Sequence, residues 1–243
     1  MEIESILLLA SVGLAAGIIN TLAGGGSFLT VPVLVMLGLP GNLANGTNRI
    51  GVLFQTFIAG WRFRRTSIFL PKEVLPVLVP MAVGSIIGAI AINQISDQIF
   101  EKFFGVAMIL LWAMTLRKSS EKTKPSPNRL WQNFIRFLVG LYGGAFQAGV
   151  GILLVLVLRN TGLDLLKANA LKVAVNFCFT LLALPIFLFN GHVSWGPALA
   201  LGFGFAIGGE VGARIAIDHG SRVLRPALGI AVLILAGRMF GLY

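Results

Sequence analysis

Apolar residues in this chain run in long blocks punctuated by glycine, with no alternation of the kind a half-buried strand would need. In the first half the blocks cover about 6–22, 28–37, 44–61, 74–92 and 100–116; in the second they cover 137–158, 168–189, 197–213 and 225–240. A helix needs roughly 20 apolar residues to cross a bilayer, so the blocks beginning near 44, 74 and 100 predict spanning helices. Block 28–37 is too short to cross alone, and Gly24, Gly25 and Gly26 separate it from block 6–22. The two together predict a broken or re-entrant helical hairpin, which a bilayer tolerates only where the irregular backbone is buried in protein or lines a cavity. Block 137–158 is interrupted in the same way by Gly149 and Gly151, so each half is expected to open with such a hairpin.

The second half also repeats residues of the first. Gly38, Ala44, Asn45, Gly84, Gly88, Ala89 and Gly105 recur 124 positions later as Gly162, Ala168, Asn169, Gly208, Gly212, Ala213 and Gly229. Upstream the offset is 127, which sets Gly13, Gly17 and Gly24 on Gly140, Gly144 and Gly151, and Asn20 on Gln147. The expected fold is therefore an all-α integral membrane protein of two repeats, with roughly eight to ten membrane segments. The predicted divisions are a first repeat at 1–118, a linker at 119–135 and a second repeat at 136–243.

Composition agrees with a bilayer as solvent: 56% of the 243 residues are hydrophobic and 12% charged, about half the charge of a soluble domain. The net charge of +10 raises nucleic acid as a partner, but the basic residues sit in short loops and form no continuous face. Their distribution carries topology instead. Arg62, Arg64, Arg65 and Lys72 crowd one loop whose counterpart at 191–195 has no Lys or Arg; residues 93–99 have none, whereas their counterpart carries Arg214, Arg222 and Arg225. Equivalent loops thus fall on opposite sides, which predicts inverted repeats, a cytoplasmic linker and both termini outside. Glu2 and Glu4 precede the first block without a basic residue, so no cleavable signal peptide is expected. Cys178, the single cysteine, excludes an intrachain disulfide and reads as a small apolar side chain.

Candidate chemistry concentrates at the two breaks. Helix starts there would offer unpaired backbone N–H groups to an anion, and glycine would let it approach closely. The expected substrate-binding set is Asn20, Thr21, Gly24, Gly25, Gly26 and Ser27 at the first break and Gln147, Gly149 and Gly151 at the second. Asn48, Arg49 and Gln55 join it from the helix after the first break, and Lys172 and Asn176 from the helix after the second. Buried cations without a nearby carboxylate call for an anionic partner, although snorkelling to headgroups is the alternative for Arg49 and Lys172. The isolated glycines at a spacing of four, such as Gly84 and Gly88, read as helix packing. Glu210 is the one carboxylate inside a predicted span; an ion pair with Arg214 at i+4 is the leading reading, and proton coupling the other. His192 and His219 fall on opposite sides and no metal-binding spacing occurs, so neither a metal, a cofactor nor an intramembrane enzyme is expected.

The run from Gly13 through Gly17, Asn20, Gly24-Gly25-Gly26, Thr30 and Pro32, followed by Gly38-Leu39-Pro40, Ala44 and Thr47-Asn48, resembles the sulfite exporter TauE/SafE family. The second Gly-rich break followed by Ala168-Asn169 and Lys172 is similar to that family's second repeat. The resemblance covers essentially the whole chain. It implies an inner-membrane exporter of small sulfur-containing anions or organosulfonates, working by alternating access around a midplane site. An anion channel, or a carrier of another small organic anion, shares the same features. The expected partners are the small anion and the lipid bilayer, with a homodimer compatible and no nucleic acid.

Overall fold

The computed structural model describes residues 2–66, 71–116, 128–159 and 165–219. The basic residues from Arg117 to Lys124, together with Gly162, Asp164, Arg222, Gly229 and the apolar block 225–240, lie outside the described residues. All regular structure among the described residues is helical: α1 (Ile3–Leu22), α2 (Ser27–Met36), α3 (Gly41–Arg64), α4 (Pro71–Ile92), α5 (Asp97–Leu116), α6 (Arg129–Phe146), α7 (Val150–Arg159), α8 (Leu165–Phe189) and α9 (Trp195–His219). Asn128 caps α6 by accepting from the Leu130 and Trp131 N–H groups, so the helix takes in residues 129–135 of the expected linker.

Four of these helices are long and apolar enough to cross a bilayer: Ile3–Leu22, Leu75–Ile92, Leu165–Phe189 and Trp195–His219. The 24-residue α3 does not meet that hydropathy because Asn42, Asn45, Thr47, Asn48, Arg49, Gln55 and Thr56 are all turned inward and buried. Its exposed positions include Phe54, Phe57 and Trp61. α3 thus turns its polar side chains inward and exposes apolar ones, the arrangement that a hydrocarbon solvent favours.

Small residues set how the helices meet. α1 packs along α9 and α6 along α4. Side chains at Gly13 and Gly17 would strike the α9 backbone at Leu201 and Phe205, and side chains at Gly140 and Gly144 would strike the α4 backbone at Met81 and Ser85. These paired contacts relate α4 to α9 by an offset of 120, where residue identities alone had suggested 124. Gly84 meets Phe137 and Leu141 as Gly204 meets Ala10 and Leu14; Gly88 meets Leu141 and Ala145 as Gly208 meets Leu14 and Ile18. The difference of four is one helical turn. A stripe of small residues every four positions matches itself after such a slip, so the sequence could not decide between the two offsets.

α3 and α8 cross the centre in opposite directions. A side chain at Gly46 would meet Phe187, the Phe57 and Phe177 rings lie 6.0 Å apart, and Gly60 faces Val173.

Candidate functional site

Both hairpins break where glycine is required. α1 closes at Ala23, whose N–H donates to Ile19 O at 2.7 Å, and the chain turns through Gly24 at φ +88° before Ser27 starts α2. α6 closes at Gln147 at φ +60°, and Gly149 at φ +70° leads into α7. Positive φ disfavours a side chain, so Gln147 has to be held by its surroundings. Its amide supplies the hold, donating to Asn176 Oδ1 at 3.0 Å and Thr180 Oγ1 at 2.9 Å while accepting from Arg49. The Tyr142 hydroxyl donates to Ala148 O at 2.6 Å and pins the same turn.

The two breaks touch through bare backbone. A Cβ on Gly24 would run into Gly151, and one on Gly151 into Gly24. The first turn-closing donors are the Phe28 N–H to Gly25 O at 3.1 Å and the Ile152 N–H to Gly149 O at 3.0 Å. Ahead of them the N–H groups of Gly26, Ser27, Val150 and Gly151 stand at helix starts without intrahelical acceptors. Two positive helix ends therefore flank one contact between glycines.

Each break is braced by its own half. Asn20 Nδ2 donates to Gln55 Oε1 at 2.7 Å, and Gln55 Nε2 donates to Thr21 Oγ1 at 2.7 Å. Thr30 Oγ1 donates to Asn48 Oδ1 at 2.6 Å, and Asn48 Nδ2 donates to Ser27 Oγ at 2.9 Å. Thus Asn20, Thr21, Ser27, Asn48 and Gln55 converge at the first break, as Gln147 and Asn176 do at the second.

The two buried cations instead cross between halves. Arg49, fully buried, donates through Nη1 to Gln147 Oε1 at 2.9 Å and through Nη2 to the carbonyls of Gly143 (3.3 Å) and Gly144, the C-terminal turn of α6. Its guanidinium carbon lies 4.1 Å from the centre of the Phe187 ring. Lys172, 1% exposed, donates to the carbonyls of Asn20 (3.1 Å) and Thr21 (2.9 Å), the C-terminal turn of α1. Each cation meets the negative end of the opposite half's first helix, where a macrodipole and unpaired carbonyls favour positive charge. Neither snorkels. Nor do they converge on one point. Arg49 lies against Gln147 and the end of α6, whereas Lys172 lies against the end of α1, whose Asn20 and Thr21 bond to Gln55 six residues beyond Arg49 on α3.

Glu210 forms the expected pair with Arg214 Nε at 2.8 Å and a second one, also 2.8 Å, with Arg62 Nη1 from α3. Thr180 and Phe187 were not singled out from the sequence, and Thr30 and Arg62 were named only for the family-like run and for topology. Thr180 carried a signal: it follows Asn176 by four residues and matches Thr56 at offset 124. Phe187 carried none, since an aromatic in an apolar run has no mark distinguishing a ring beneath a guanidinium from one against lipid.

The comparisons with known proteins agree with this architecture. The chain is 29% identical over 230 residues to a probable membrane transporter protein, ORF9, of Sinorhizobium sp, covering 92% of this chain and 88% of that one. It is 28% identical to a probable membrane transporter protein of Haemophilus influenzae over 98% of this chain and 95% of that one. With the probable membrane transporter protein YfcA of Escherichia coli it shares 25% over 94% and 87%. No solved structure matches. The model of the sulfite exporter TauE/SafE family matches residues 9–239, and this multi-pass membrane protein, with a broken hairpin opening each half, belongs to that family of membrane transporters.

Proposed function

We propose that the chain is a secondary transporter that exports small sulfur-containing anions, such as sulfite or organosulfonates, across the inner membrane by alternating access. The observation that carries this reading is the backbone contact between Gly24 and Gly151, which brings the positive starts of α2 and α7 together. The interior around it holds two buried cations whose hydrogen-bond acceptors are an amide and backbone carbonyls, all neutral. The antiparallel crossing of α3 and α8 supports two inverted repeats that rock about this contact. The basic end of α3 at Arg62, Arg64 and Arg65, against the uncharged turn at Gly191, supports a cytoplasmic linker with both termini outside. Glu210, clasped by Arg62 and Arg214, serves in this reading as a tie between α3 and α9.

The test is counterflow in proteoliposomes. Vesicles preloaded with unlabelled sulfite should accumulate labelled sulfite transiently and saturably. Flux without counterflow would favour a channel, and no flux of sulfite, thiosulfate or sulfoacetate would sink the substrate class.

A further inference from the structure

Each buried cation leaves donor capacity unspent, and each has a buried asparagine about one turn before it with an unspent atom of its own. Arg49 uses Nη1 and Nη2, while its buried Nε has no hydrogen-bond partner. Lys172 makes two hydrogen bonds from three N–H groups. Asn169, 1% exposed, has no partner for either Nδ2 or Oδ1, and Asn45, fully buried, has none for Oδ1. Asn169 precedes Lys172 by three residues and Asn45 precedes Arg49 by four, so each pair shares a helix face. Asn45 and Asn169 are themselves equivalent positions at offset 124.

Leaving a buried polar group unpaired is costly, and a pair of such groups at equivalent positions in both halves asks for a common cause. We propose that the chain carries two anion subsites, one built on Lys172 and Asn169 and the other on Arg49 and Asn45. This rests on the anion-transporter reading and refines it: one midplane site becomes two, each with its own cation and its own set of protein partners. The spare Lys172 N–H and the Asn169 amide N–H₂, three residues apart on α8, give the first subsite two donors for an oxyanion. The second pairs the Arg49 Nε–H donor with the Asn45 Oδ1 acceptor, which suits an anion that also carries a proton, such as bisulfite or an aminosulfonate. An anion on either subsite faces a helix terminus of the opposite half through the cation's other bonds. Occupancy and the contact between halves are thereby linked.

The experiment is equilibrium binding of labelled sulfite, with taurine and sulfate as competing probes, to the full chain in nanodiscs. Two sites per chain are expected. Asn169→Leu removes an amide that has no protein partner, so it should leave thermal stability unchanged or raised while weakening one of the two sites by about tenfold or more. Asn45→Asp should weaken the other site and spare the one touched by Asn169→Leu. A single site per chain, lost alike in Arg49→Gln and Lys172→Gln, would overturn the two-subsite proposal and keep the transporter reading. Loss of stability in Asn169→Leu with binding intact would assign Asn169 to packing and also overturn it. Absence of saturable binding by every probe would overturn the anion reading itself.

Discussion

The two halves solve one problem with different side chains. In both, the first helix stops in the protein interior and leaves carbonyls that water would otherwise satisfy. The first half supplies Arg49 to close α6, and the second supplies Lys172 to close α1. These residues are not equivalent: at offset 124 Lys172 matches Asn48, and Arg49 matches Val173. Asn48, free of the capping duty, turns to its own hairpin and joins Ser27 and Thr30, where the second half has Leu154 and Val157 at the matching offset of 127. A guanidinium fork spans three acceptors and lies over an aromatic face, while an ammonium reaches two carbonyls. What the halves share is a helix end closed from across the molecule; the residue that closes it has drifted by one position.

The contact between breaks is the one feature that both halves need equally, so its disruption has the largest expected effect. Gly24→Val should cost about 4 kcal/mol, combining a left-handed φ with a collision against Gly151 backbone; loss of a monodisperse, thermally cooperative protein in detergent checks it. Gly24→Ala beside Gly25→Ala is the control pair, because a Cβ at Gly25 meets nothing closer than 3.7 Å whereas one at Gly24 meets Gly151 backbone. Next comes the asymmetry of the caps. Arg49→Met should lower stability by about 3 kcal/mol and Lys172→Met by about 2 kcal/mol, following the number of buried acceptors each orphans. Unfolding of the two variants side by side tests the order, and equal losses would mean that the fork and the Phe187 face contribute nothing. Ser27→Ala should cost about 1 kcal/mol by leaving the Asn48 amide short of an acceptor, whereas Leu154→Ala should act only through lost packing. Glu210→Gln should change stability by less than about 1 kcal/mol, since Arg62 and Arg214 are partly exposed and regain solvent. Its readout is the salt dependence of the melting temperature, which should flatten in the variant.

Much of the candidate site is legible in the sequence. The triple glycine at 24–26 and the pair Gly149 and Gly151 marked the breaks, because a helix in lipid cannot be interrupted cheaply and glycine is the residue that permits it. Asn20 with Gln55, and Gln147 with Asn176, were named as partners of those breaks and lie against them. The turn-by-turn match of α4 to α9 was not legible, since a stripe of small residues repeats every four positions and aligns equally well one turn away. Nor was the reach of Arg49 to Gly144, a contact 95 residues apart in sequence.

The sequence by itself determined the solvent, the helical class, the placement of the breaks and the family. Each of these follows from local hydropathy, from glycine's backbone freedom or from a run of residues read in order. Only the tertiary structure decided that the two cations have separate partners and that each closes a helix of the other half. Those facts depend on which helix faces which, and a lysine or arginine in an apolar run has the same local signature whether it meets lipid headgroups, a substrate or the carbonyls of a distant helix end.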